Sequence, residues 1–106
     1  MIFRSPKLLE RINQAAQRFD APCFLRVLCD GVIDQTVTGC HSNQGRDGKG
    51  RGIKAHDYRI ALGCFRCHYE IDQGSKMSDE QRIEAWERAH RETIGWLFDK
   101  NILMVR

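Results

Sequence analysis

The pair Cys64-Phe65-Arg66-Cys67 constrains this chain more than any other feature. Two thiols separated by two residues turn both sulfurs toward one ion about 2.3 Å from each, which is half of a tetrahedral zinc site. The other half has to come from elsewhere in the chain, and Cys23 and Cys29 are the candidates. Five residues lie between them, more than the usual two to four or so. Any strand between them must therefore be short or bulged. Together the four cysteines read as a four-thiolate, structural zinc site, with buried unligated thiols as the alternative. A fifth, Cys40, is spare. At 106 residues the chain forms one domain, small enough for a metal cross-link to matter to its stability.

The cysteine usage bears on the compartment. The amino terminus, Met1-Ile-Phe-Arg-Ser-Pro6, has no basic-then-apolar leader. No run approaches the roughly 18 apolar residues of a membrane span. The expectation is a soluble cytoplasmic protein with no membrane partner, in whose reducing surroundings thiols serve as metal ligands rather than disulfides. With 17 Lys+Arg against 14 Asp+Glu the net charge is only +3, so the distribution of charge says more than its sum.

Helices bracket the cysteine-rich centre. Ser5 as N-cap and Pro6 at the first helical position open an N-terminal helix within residues 1–21, with Leu8, Leu9, Ile12, Ala15, Ala16 and Phe19 on one face. It is expected to end near Asp20, ahead of Pro22. Two apolar runs, Phe24–Leu28 and Thr36–Thr38, then read as β-strands about an Asp30-Gly31 turn. A short helix is expected from Cys67 to about Asp72, stopped by Gln73-Gly74, with His68 and Asp72 four apart on one face. The last helix, residues 78–100, opens on a Ser78/Gln81 capping box, and Ile83, Trp86, His90, Ile94 and Leu97 form its apolar stripe. His90 in that stripe reads as a packed, hydrogen-bonded histidine rather than a ligand. Ile102–Val105 adds an edge strand or packs on the core.

Between residues 42 and 55 the composition changes. Gly45, Gly48, Gly50 and Gly52 alternate with Arg46, Lys49, Arg51 and Lys54, a segment unable to bury apolar surface and expected to be a mobile loop. Its amides and cations suit phosphate oxygens. It lacks the Gly-Lys-Ser/Thr ending of a nucleotide-binding P-loop. Cys64-x-x-Cys67-His68 also matches the c-type haem attachment pattern, but no export signal accompanies it. A redox Cys-x-x-Cys pair needs a thioredoxin-like context that is missing here.

The order strand, turn, strand ending in His41, basic loop, Cys-x-x-Cys-His, helix resembles the ββα-metal core of the HNH (His-Me finger) nucleases. It is similar above all to the small phage and prophage proteins of the YbcO type. The resemblance covers roughly residues 23–72, carried by Cys23, Cys29, His41, the Gly48-Lys-Gly-Arg-Gly-Ile-Lys-Ala55 run, Asp57, Cys64, Cys67, His68, Ile71 and Asp72. It implies a small α+β fold, a zinc-stapled core at residues 22–73 flanked by N- and C-terminal helices.

It further implies metal-dependent hydrolysis of DNA phosphodiesters by an endonuclease or nickase. His41 maps onto the general base that activates water, Asp57 onto the family's central asparagine and His68 onto its last histidine. An imidazole, with an unperturbed pKa of about 6.5, is a fitting proton acceptor. A catalytic divalent ion, Mg²⁺, Mn²⁺ or Ni²⁺, is expected besides the structural Zn²⁺, held by His68 with Asp57 or Asp72. Arg46, Lys49, Arg51 and Lys54 would grip the DNA backbone. Cys40 departs from the pattern: it stands where these enzymes place an aspartate or histidine ligand, and sulfur suits a hard cation poorly. The competing reading is a non-catalytic zinc module that binds nucleic acid.

Overall fold

Why the chain has regular elements where it does follows from its caps and from the cysteines. The computed structural model describes residues 6–41 and 59–104. It is an α+β fold in the order α1 (Pro6–Arg18), β1 (Thr38–His41), β2 (Ile60–Gly63), α2 (Phe65–Gln73) and α3 (Asp79–Asp99). Helix α1 buries Ile12, Ala15 and Ala16. It closes where Asp20 takes a left-handed φ of 51° and the Ala21 amide bonds back to the Ala16 carbonyl, before Pro22. Phe19 is the exception on its predicted face: it is 39 % exposed and meets Trp96 edge-on.

Helix α3 starts on the expected capping box, the Gln81 amide donating to Ser78 Oγ and the Ser78 amide to Gln81 Oε1. Its buried line is Ala85, Trp86, Ala89, Thr93 and Leu97, whereas Ile83 is 43 % exposed. The true seam thus interleaves the small Ala85, Ala89 and Thr93 with Trp86 and Leu97. At its far end the Ile102 and Leu103 amides bond to the Leu97 carbonyl, and both side chains pack on the core. Through residue 104 this segment packs and forms no strand.

The two strands pair antiparallel, with Thr38 opposite Gly63 and His41 opposite Ile60. A two-stranded ladder is marginal alone, and here both of its edges are covered by helix side chains. From α1, Asn13 Oδ1 accepts the Gly39 amide and Gln17 Nε2 donates to the Val37 carbonyl. From α3, Thr93 Oγ1 accepts the Leu62 amide and His90 Nδ1 donates to the Ile60 carbonyl at 2.6 Å. His90, stacked on Trp86 with ring centroids 5.1 Å apart, is therefore the packed histidine its place in the stripe predicts.

The expected strand at Phe24–Leu28 does not form, and of the expected Thr36–Thr38 strand only Thr38 is paired, as the first residue of β1. The reason is geometric. An extended chain between Cys23 and Cys29 would separate them by about 20 Å, yet their sulfurs lie within 4.8 Å of each other. The segment wraps instead, with positive φ at Arg26 (47°) and Gly31 (90°). Arg88 from α3 holds the wrap by donating to the Leu25 carbonyl.

Candidate metal centres

The wrap brings Cys23 and Cys29 onto Cys64 and Cys67 at the start of α2. All four sulfurs lie within 4.8 Å of one another, with Cys29 to Cys64 at 3.9 Å and Cys29 to Cys67 at 3.6 Å. A tetrahedral zinc ion with bonds of about 2.3 Å needs sulfurs about 3.8 Å apart. These spacings match that value and are far too long for disulfides. The donor set fits structural zinc.

Backbone amides surround the sulfurs. Leu28 donates to Cys67 Sγ at 3.3 Å, the amides of Gly31 and Val32 face Cys29, and those of Arg26 and Cys64 face Cys23. Amide donors aimed at sulfur favour thiolate over thiol, the form that binds metal. Burial pushes Cys29 up, but the Val32 and Gly31 amides and the thiols of Cys23 and Cys67 outweigh it and bring it down to about 7. Burial prevails at Cys23 and Cys67, which are raised.

Local sequence explains the geometry. Cys64 and Cys67 are one helical turn apart because α2 begins at Phe65, two residues before the expected start. The helix is capped from outside: Thr36 Oγ1 accepts the Phe65 amide and donates to Asp34 Oδ1. That hydroxyl is the main cause holding the Asp34 carboxyl below its usual range. Gly63 is required by close approach, since a Cβ there would lie 2.3 Å from Leu25 Cδ1, and Leu25 is fully buried.

A second group joins residues of β1 and α2. Cys40 of β1 and His68 and Asp72 of α2 bring one ligand atom each within 4.8 Å of one another, with His68 Nε2 and Asp72 Oδ2 3.8 Å apart. Cys40 is fully buried, His68 half-buried and Asp72 at the exposed rim. Burial pushes the Cys40 thiol well up, and the Asp72 charge adds in the same direction. Trp86 Nε1 donates to the Cys40 carbonyl at 3.1 Å, fixing the strand where it carries the ligand.

His68 and Asp72, the residues expected to hold a second metal, lie together, and Cys40 joins them as a third potential donor. Cys40 is the member that sequence reasoning set aside; its place directly before His41 was the available signal. His41 follows Cys40 directly and belongs to neither ligand group. Asp57 and the basic residues Arg46, Lys49, Arg51 and Lys54 lie outside the described residues, as does the Ser5 cap. No helix among the described residues is long and apolar enough to cross a membrane. Compared with known proteins, the chain matches no family model, no curated protein and no solved structure.

Proposed function

We propose that this chain is a metal-dependent nuclease that hydrolyses DNA phosphodiesters, of the ββα-metal type, with His41 as general base. The observation that carries the reading is the juxtaposition in β1, β2 and α2. An antiparallel pair ends at His41, and the next helix sets His68 and Asp72 against Cys40, the residue preceding that histidine. The donors fit a divalent ion, because an imidazole, a carboxylate and a thiol can converge from a strand and one helix face with small side-chain adjustments.

A divalent ion bound there would supply charge stabilisation for the phosphate and its leaving oxygen. The remaining work falls to the chain. His41, at the strand end, accepts the proton of the attacking water. Trp86 holds the Cys40 carbonyl and with it the peptide leading to His41. The cations of residues 46–54 neutralise flanking phosphates, which makes binding weaken with salt. The four-thiolate centre anchors the start of α2 and so sets where His68 and Asp72 stand.

A plasmid-nicking assay of zinc-loaded protein tests this, with Mg²⁺, Mn²⁺, Ni²⁺ or Co²⁺ added and with none. Metal-dependent nicking that His41→Ala abolishes supports the proposal. Salt-sensitive DNA binding with no nicking under any metal favours the non-catalytic zinc module.

A further inference from the structure

We infer that the centre formed by Cys40, His68 and Asp72 takes a thiophilic divalent ion, Zn²⁺ or Co²⁺, in preference to Mg²⁺, so that the chain holds two such ions in separate sites. The inference deepens the proposed nuclease centre and rests on that reading for the ion's catalytic role. The binding of the ion is read independently of it.

The ligand sets Cys23/Cys29/Cys64/Cys67 and Cys40/His68/Asp72 share no residue, so filling one does not consume the other. Four thiolates complete a tetrahedron and leave no position for substrate. Three protein donors leave one, the arrangement of a catalytic rather than a structural ion. The donors are one sulfur, one nitrogen and one oxygen. Mg²⁺ demands near-octahedral oxygen and keeps several of its waters, whereas mixed sulfur and imidazole donors favour borderline ions.

The position of Cys40 removes the hard-ion route. Its side chain is fully buried in the core, away from the water that a hydrated hard ion keeps around it, and its carbonyl is held by the Trp86 indole. Asp72 at the rim and His68 beside it complete a funnel running from sulfur inside to oxygen outside. Asp72 is thus the donor nearest solvent, on the side from which a phosphate oxygen would approach.

The test is a metal titration of the full chain carrying one zinc ion at its four-thiolate centre. A second equivalent, added as Co²⁺, is expected to bind and to give a thiolate-to-cobalt charge-transfer band that excess Mg²⁺ does not displace. Cys40→Ser and His68→Asn should each lose that equivalent and its band while keeping the first ion. His68 is half-buried, so His68→Asn tests the site even if the core variant fails to fold. No second equivalent in the parent protein, a band unchanged in both variants, or displacement by Mg²⁺ would overturn the inference. Nicking measured on the same samples reads the nuclease proposal separately: a bound second ion with no nicking removes that proposal and leaves the metal assignment standing.

Discussion

The two candidate metal centres share helix α2 and differ in almost everything else. At the first, four sulfurs are spaced for a tetrahedron and fenced by backbone amides from a wrapped segment. At the second, three unlike donors run from a buried thiol to an exposed carboxylate. A closed, uniform set belongs to a staple, and an open, mixed set belongs to chemistry. Under the proposed nuclease function, the contrast separates residues whose loss should unfold the protein from those whose loss should silence it.

The largest expected effect breaks the closed centre. Zinc at four thiolates contributes on the order of 10 kcal/mol, comparable with the whole stability of such a domain. Cys64→Ser should therefore abolish cooperative thermal unfolding, followed by circular dichroism; a melt within a few degrees of the parent would show that the cluster is not a staple.

Next comes Gly63→Ala, which forces a methyl onto Leu25 Cδ1 and should cost about 1–3 kcal/mol by overpacking. Because Leu25 belongs to the zinc-bearing wrap, zinc should also leave the variant faster for a chelator. A smaller change, Trp86→Phe, deletes the donor to the Cys40 carbonyl and should cost about 1–2 kcal/mol. It sharpens the comparison by acting on the open side: nicking should fall while zinc retention in the closed centre stays as in the parent. Equal zinc release in the two variants would mean that the centres are not separable.

What could be read from sequence follows the range of the interactions involved. Helices α1 and α3 were legible because their caps and apolar spacings are local, and Cys64 with Cys67 because two intervening residues are a ligand spacing in themselves, which left Cys23 and Cys29 to supply the other half. The wrap at residues 23–29 was not legible as structure: apolar Phe24–Leu28 satisfies strand propensity, and only the demand that both sulfurs reach one point overrides it. Strand β2 was hidden too, since Ile60–Gly63 is buried throughout and shows no alternation. Cys40 was set aside as a ligand on donor softness. Its meeting with His68 and Asp72 depends on strand-to-helix packing that no local pattern records.

The smallest expected effect on stability carries the central claim. His41 lies in neither ligand group, so His41→Ala should melt as the parent does, with unchanged zinc content. Its plasmid nicking should nonetheless fall by about 10²–10⁴-fold, the usual contribution of a general base. The direct measurement is the nicking rate of parent and His41→Ala at matched zinc content, with the melting curve of each sample beside it. Matched melts with nicking lost in the variant is the predicted result. Parental nicking by a folded His41→Ala protein, or no nicking by the parent with any divalent ion, would contradict the account.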